Sequence, residues 1–177
     1  VTTLTTTRLV LRPWRDRDLT PFAAMNADPT VMQFMPKLLN RAESDALAAR
    51  IRTAFEAKGW GLWAVEIPGI APFIGYTGLS EPNFKAHFTP CVEIGWRLAQ
   101  PYWGYGYATE AARAALAHAF ETLALNEIVS FTIAANSRSR AVMARLAMRH
   151  DPADNFDHPA LPTGHPMRRH MLYRRGR

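Results

Sequence analysis

The chain alternates between two hydrophobic periods, and the changes of period mark its elements. Arg8-Leu-Val-Leu-Arg-Pro13 alternates polar and apolar residues, the two-residue period of a half-buried strand. Between Asp18 and Asn26 the spacing lengthens to that of a helix, with Leu19, Phe22, Ala23 and Met25 as its apolar positions. Asn40-Arg-Ala-Glu43 has capping-box spacing and predicts a second helix carrying Leu47, Ile51, Ala54 and Phe55, closed at Lys58-Gly59. Three strands follow, over Trp60 to Ile67, Phe73 to Ser80 and Cys91 to Leu98, and their short connections imply antiparallel neighbours. After Gly104-Tyr-Gly106 an apolar stripe of Ala108, Ala112, Ala115, Leu116, Ala119, Phe120 and Leu123 predicts the strongest helix. Glu127 to Ala134 reads as a buried strand, Asn136 or Ser137 as the cap of a short helix, and Met167 to Arg174 as a last strand. His150 to Pro166, rich in Pro and His, carries no assignable period. This order predicts an α/β (α+β) chain, a single mixed and mostly antiparallel sheet flanked by helices, in one domain over residues 1–177.

Composition narrows the reading. With 48% hydrophobic and 20% charged residues the chain is an ordinary globule, and its single cysteine excludes an intrachain disulfide framework or a multi-cysteine zinc site. No apolar run approaches a membrane span, and the threonine-rich start, Val1 to Thr7, lacks the basic cap and long apolar stretch of a signal peptide. Both point to the cytoplasm and away from a membrane. The net charge of +6 invites nucleic acid as a partner, but five of the 21 basic residues are Arg168, Arg169, Arg174, Arg175 and Arg177. The rest of the chain is nearly balanced, which argues against nucleic acid. The arginine tail is expected to be a solvated strand edge or frayed end, or else a device that steers acidic ligands. Ordinary reasons also cover the lone Cys91, a small buried hydrophobe, and His150, His158, His165 and His170, whose spacing matches no metal site.

The segment Val92-Glu-Ile-Gly-Trp-Arg-Leu98, followed by Tyr102-Trp-Gly-Tyr-Gly-Tyr-Ala-Thr-Glu110, carries the chemistry. A strand ends, glycines make a tight turn and a helix begins at once. Such a junction gathers backbone amides and the positive end of the helix, so it suits a diphosphate, although Gly-x-Gly also occurs in plain turns. With no Lys-Ser/Thr after it, the turn is not a nucleoside-triphosphate loop. In this context the segment resembles the GNAT superfamily of acyl-CoA-dependent N-acetyltransferases, and more closely the branch typified by the ribosomal-protein N-terminal acetyltransferases RimJ and RimL, which includes enzymes acting on protein N-termini, amino acids, polyamines and antibiotics. The resemblance runs from Thr7-Arg-Leu-Val-Leu-Arg-Pro13 to Arg168-Arg-His-Met-Leu-Tyr-Arg174 and includes Asn136-Ser-Arg-Ser-Arg-Ala-Val-Met143.

It implies acetyl-CoA as cofactor, bound by Trp103, Gly104, Tyr105, Gly106, Tyr107, Ala108 and Thr109 at the glycine turn, where Trp103 replaces the usual Gln or Arg. It also implies contacts from Ile94, Trp96, Arg97 and Leu98 on the preceding strand, mainly through backbone groups, and from Asn136, Ser139 and Arg140 after the next strand. Glu93 matches the family's base position and Ser139 is a candidate proton donor to the departing thiolate. Glu93 reads equally as a surface carboxylate, and Ser139 as a helix-start hydroxyl bonded to the backbone. Two residues depart from the family pattern: Met143 stands where many relatives have a thiolate-protonating tyrosine, and Ala147 where they often have glycine.

The resulting expectation is direct acetyl transfer from acetyl-CoA to a primary amine, on a protein N-terminus or a small molecule. The alternatives are a catalytically silent acyl-CoA-binding regulator and a ribosome- or RNA-associated protein that uses the basic tail. Asp151, Asp154 and Asp157 are expected either to draw a cationic amine toward the site or to be solvated loop carboxylates. A homodimer is common for enzymes of this size, and no residue pattern specifies one.

Overall fold

A computed structural model describes residues 2–177, so Val1 of the threonine-rich start lies outside the described residues. The chain enters through β1 (Leu4–Thr5) and β2 (Val10–Arg12), then two helices, α1 (Leu19–Ala27) and α2 (Arg41–Lys58). A meander of β3 (Leu62–Ile67), β4 (Ala71–Ser80) and β5 (Glu93–Leu98) follows. Then come α3 (Tyr107–Ala117), β6 (Glu127–Ile133), α4 (Ser137–Arg145), β7 (Arg149–His150), β8 (Phe156–Asp157) and β9 (Arg169–Gly176). Among the described residues these strands form one sheet in the order β1-β2-β3-β4-β5-β6-β9-β7, with β8 also on β9. Every pairing is antiparallel except β5 with β6.

Local chemistry sets the helix ends. Asn40 Oδ1 accepts from the Glu43 amide while Glu43 receives the Asn40 amide, the reciprocal box that its spacing predicts. Gly59 closes α2 at φ 76°, a left-handed conformation that costs glycine nothing. Asn136, rather than Ser137, caps α4. The α3 stripe does not continue as regular helix to Leu123, because His118–Thr122 loosens into a π-helical turn.

The two faces of the sheet are covered differently. Ile94, Leu98 and Ile128 pack with Ala111, Ala112, Ala115 and Leu116 of α3 and with Met143 and Leu146 around α4. On the opposite face Phe22 and Met25 of α1 and Ala48 and Ile51 of α2 cover Trp14, Ala64 and Phe73. The hinge between β2 and α1 is held by Arg12, 2% exposed although it follows an alternating strand pattern, which bonds Asp18 at 2.8 Å and Glu66 at 2.6 Å.

The arginine tail is neither an edge nor a frayed end. β9 pairs with β6 along seven residues on one side and with β7 and β8 on the other. Arg174 bonds Glu127 and Asp154, and Arg168 and Arg169 both pair with Asp157. Arg175 donates to the Leu146 carbonyl. These cations hold the last strand against β6 and the preceding loop, and neighbouring carboxylates neutralise much of their field. The unassigned stretch from His150 to Pro166 supplies β8 and the end of β7.

Ala147 sits at φ 55°, in the left-handed region, and is exposed. Glycine would relieve a strain of order 1 kcal/mol there. Ala147→Gly is expected to raise unfolding free energy by about 1 kcal/mol in urea denaturation; an unchanged midpoint would show that the turn after α4 is relaxed with alanine.

Candidate active site

The functional geometry begins where two adjacent strands part. β5 and β6 share one ladder position, Glu93 opposite Val129, and separate beyond it. Val129 N–H donates to the Val92 carbonyl and Ser130 Oγ to the Ile94 carbonyl, which shows that even-numbered groups of β5 face β6. By the alternation of the ladder, the Trp96 N–H and C=O and the Leu98 N–H then point into the opening. A parted pair of strands inside a sheet leaves backbone donors and acceptors in a sheltered place, ready for an extended polar chain.

At the end of β5 the chain turns through Gly104 and Gly106, both at φ 82°. Trp103 explains its own presence where the family has Gln or Arg: its indole Nε1 donates to the Leu98 carbonyl at 2.8 Å, tying the turn to the strand. No acceptor among the described residues takes the amides of Gly104 through Thr109, the last three of which form the first turn of α3. A Cβ at Gly104 would meet nothing within 4 Å, so the turn borders open space. Free amides, a helix N-terminus and open space together make a cradle for a diphosphate.

Trp96, Arg97, Leu98, the run Trp103–Thr109, Asn136 and Ser139 line one cleft of about 1210 Å³. Glu93, Ile94 and Arg140 are not in that lining. Arg140 donates to the Ala134 carbonyl and to Tyr173 Oη, so its side chain fastens α4 to the sheet. Asn136 lines the cleft with both of its side-chain polar atoms engaged, the oxygen by the Ser139 amide and the nitrogen with Thr132 Oγ1. The Ser139 hydroxyl has no partner among the described residues and is free to act on a ligand.

Glu93 stands at the vertex of the opening, half-buried and without a hydrogen-bonding donor among the described residues. Burial pushes its carboxyl up to about 8. An acid with that pKa takes and releases a proton near neutrality, as a general base requires. Met143 is 1% exposed within the core between α4 and the sheet, so it offers no proton donor. Burial, reinforced by Glu93, pushes the Cys91 thiol up to about 11, which keeps it a thiol and unsuited to carry an acyl group.

Two of the three loop acids expected to attract a cationic amine are already paired with cations, whereas Asp151 only accepts the Ala153 amide. Asp154 bonds Arg174 and His87, and Asp157 bonds Arg168 and Arg169. Hydrogen bonds from Arg174 hold the Asp154 carboxyl below its usual range. Their charge supports β9 and leaves little to attract an amine.

Sequence reasoning missed the basic rim. Arg113 and Arg145 line the cleft beside the glycine turn, as does Arg138, whose guanidinium lies 4.2 Å over the Trp103 ring. Arg138 also donates to Gln33 from the α1–α2 connection, whose Val31, Phe34 and Met35 wall the same cleft. The signal was weak: these arginines are single positions on helices whose orientation depends on the packing of α3 against α4. No group of three or more His, Cys, Asp or Glu among the described residues is placed to hold a metal, and no helix is long and apolar enough to cross a membrane.

Comparison with known proteins matches this geometry. The model of the acetyltransferase (GNAT) domain family matches residues 8–149. A curated relative, FsC-acetyl coenzyme A-N(2)-transacetylase of Aspergillus fumigatus, is 32% identical over 155 residues, covering 84% of this chain. The chain spans 65% of that protein's length. The crystal structure of an acetyltransferase from Agrobacterium tumefaciens superposes with a TM-score of 0.80 at 28% identity, covering 100% of this chain and 95% of the other. Mycobacterium smegmatis RimJ, solved with CoA-disulfide, gives 0.77 at 21% identity over 99% and 87% of the two chains, a likeness of fold.

Proposed function

Because the chain belongs to the GNAT acetyltransferase family, an acetyl-CoA-dependent enzyme family, we propose that it transfers an acetyl group directly to a primary amine, without a covalent acyl-enzyme. The observation that carries this reading is the run of unengaged amides from Gly104 to Thr109, set at the end of a strand that parts from its neighbour. In this reading those amides hold the diphosphate of acetyl-CoA, aided by the rim arginines, and Trp96 and Leu98 hold its extended arm through their backbone groups. The cleft volume and the missing Cβ atoms at Gly104 and Gly106 suit a ligand of that size and charge.

Acetyl-CoA supplies an activated acetyl thioester, and the protein's own residues do the rest. The opening between β5 and β6 orients amine and thioester together, which by itself contributes much of the rate. Glu93, at the vertex, takes the proton of the incoming ammonium through water. Ser139 Oγ donates a hydrogen bond to the departing thiolate, a part that Met143 cannot play. Cys91 stays outside the reaction.

Within the family the RimJ/RimL-like branch is the preferred placement, resting on the segment from Val92 to Glu110, with a protein N-terminus or a small-molecule amine as acceptor. Residues 1–177 are read as a single acetyltransferase domain. The test is thiol release from acetyl-CoA with a panel of free amines and N-terminal peptides. Amine-dependent release with acetylated product in equal amount is expected. Acetyl-CoA binding without release from any amine would overturn catalysis and favour a silent acyl-CoA-binding regulator.

A further inference from the structure

Arg97 differs from every other arginine of the cleft. Arg8 is paired with Glu110, and Arg113, Arg138 and Arg145 flank the glycine turn. Arg97 projects from β5 to the opposite face, toward α1, where its Nη1 donates to Asn26 Oδ1 at 2.7 Å. Asn26 is fixed in turn: its Nδ2 donates to Ser44 Oγ of α2 at 2.9 Å, and both residues are 0% exposed. That buried relay leaves the Asn26 oxygen only one direction, toward the guanidinium. The Tyr76 ring supports the guanidinium from 5.5 Å.

The guanidinium is half-buried and always charged, yet no carboxylate among the described residues pairs with it. Asn26 is a neutral acceptor and occupies one nitrogen, so Nε and Nη2 remain without a protein acceptor. A partly desolvated cation at a cleft wall, held rigid and lacking a counter-charge, is a site for an anion from the ligand. The Nε–Nη2 edge presents two parallel donors, the spacing that one carboxylate accepts. Val31, Phe34 and Met35 line the same cleft and supply an apolar surface.

We propose that Arg97 binds a carboxylate of the acceptor, so that the amine acetylated belongs to an α-amino acid with an apolar side chain. This rests on the acetyl-transfer reading and narrows its acceptor. Asn26 and Ser44 are positioning residues. A protein N-terminus has no carboxylate beside its amine and would leave Arg97 unanswered.

The test compares L-leucine, L-methionine and L-phenylalanine with their carboxamides, which keep amine and side chain and lose the charge. Calorimetric titration into the protein, with and without saturating CoA, needs no turnover. The acids are expected to bind at least about tenfold tighter than the amides. Arg97→Gln should reduce that preference to less than about twofold, and Arg97→Lys, which keeps the charge but not the fork, to an intermediate value. Acetyl-CoA affinity should stay within about twofold in both variants, since the guanidinium reaches Asn26 of α1, on the sheet face opposite α3.

Equal binding of acids and amides to the wild-type protein would overturn the proposal, as would a preference that survives in Arg97→Gln. A loss of acetyl-CoA affinity that matches the loss of acid binding would also overturn it, making Arg97 a cofactor residue. Thiol release separates the two readings. Arg97-dependent acid binding without release would leave the carboxylate site standing and sink acetyl transfer. Equal release from acids and amides would do the reverse.

Discussion

Gly106→Glu is expected to weaken acetyl-CoA binding by at least about 100-fold, or about 2.7 kcal/mol, measured by calorimetry on protein shown by circular dichroism to be folded. Two effects act in the same direction. Gly106 holds φ 82°, and any side chain there carries left-handed strain of about 1–2 kcal/mol. A Cβ at this position would find only Arg8 Nη2, at 3.5 Å, so the new carboxylate has room to lie beside the amides of the turn. There it would satisfy those amides itself and repel a diphosphate. Gly106→Ala separates the terms, with the strain but no charge, and should cost about tenfold. Affinity of the glutamate variant within threefold of wild type would remove the glycine turn from the cofactor site.

Glu93→Gln is expected to lower kcat by about 100- to 1000-fold with little change in the acetyl-CoA dissociation constant, the range for loss of a general base. The wild-type rate should rise with pH through about 8, the value to which burial pushes this carboxyl. An acceptor amine whose own pKa lies near 10 keeps its titration apart from that rise, and the limb near 8 should vanish in the variant. Stability supplies a second readout, with opposite sign. The folded protein holds the Glu93 proton up to about 8, whereas the unfolded chain releases it near the ordinary glutamate value of 4.5. Between those values the unfolded state binds fewer protons, so stability falls as pH rises and the full penalty is present above 8. Glutamine cannot ionise, so the variant should be less active yet more stable than wild type at pH 8 and above. Undiminished turnover would make Glu93 a buried carboxylate without a role in proton transfer.

Features governed by neighbours within a few residues were legible in the sequence. The capping box at Asn40, the stop at Gly59, the meander of three strands and the glycine turn before α3 all rest on local hydrogen bonds and φ angles. The resemblance in Val92 to Glu110 was readable for the same reason, because the glycine turn and its free amides come from consecutive backbone groups. Where sequence reading went astray, the deciding contact was distant. The arginine tail was expected at an edge or an end, but β6 and two short strands enclose it, and its cations meet Asp154 and Asp157 from the loop before it. Asp154 and Asp157 therefore have their charge spent on β9, while Asp151, the third acid of that loop, meets no cation among the described residues.

Arg97 shows the same division most clearly. Its place on a strand beside the glycine turn suggested cofactor contact, and alternation alone could indicate which face it occupies. Only the fold brings Asn26 of α1 and Ser44 of α2 to that face, and only the fold leaves the guanidinium without a counter-charge. The sequence by itself determined the order of the main helices and strands, the sheet-and-helix class and the glycine turn before α3, because backbone conformation and short-range capping need no knowledge of distant residues; the short strands β1, β7 and β8 it did not reveal. Tertiary structure decided which charges are neutralised, where Glu93 is desolvated and which arginine is left without a carboxylate partner. Burial and ion pairing are properties of surfaces that meet only once the chain has folded.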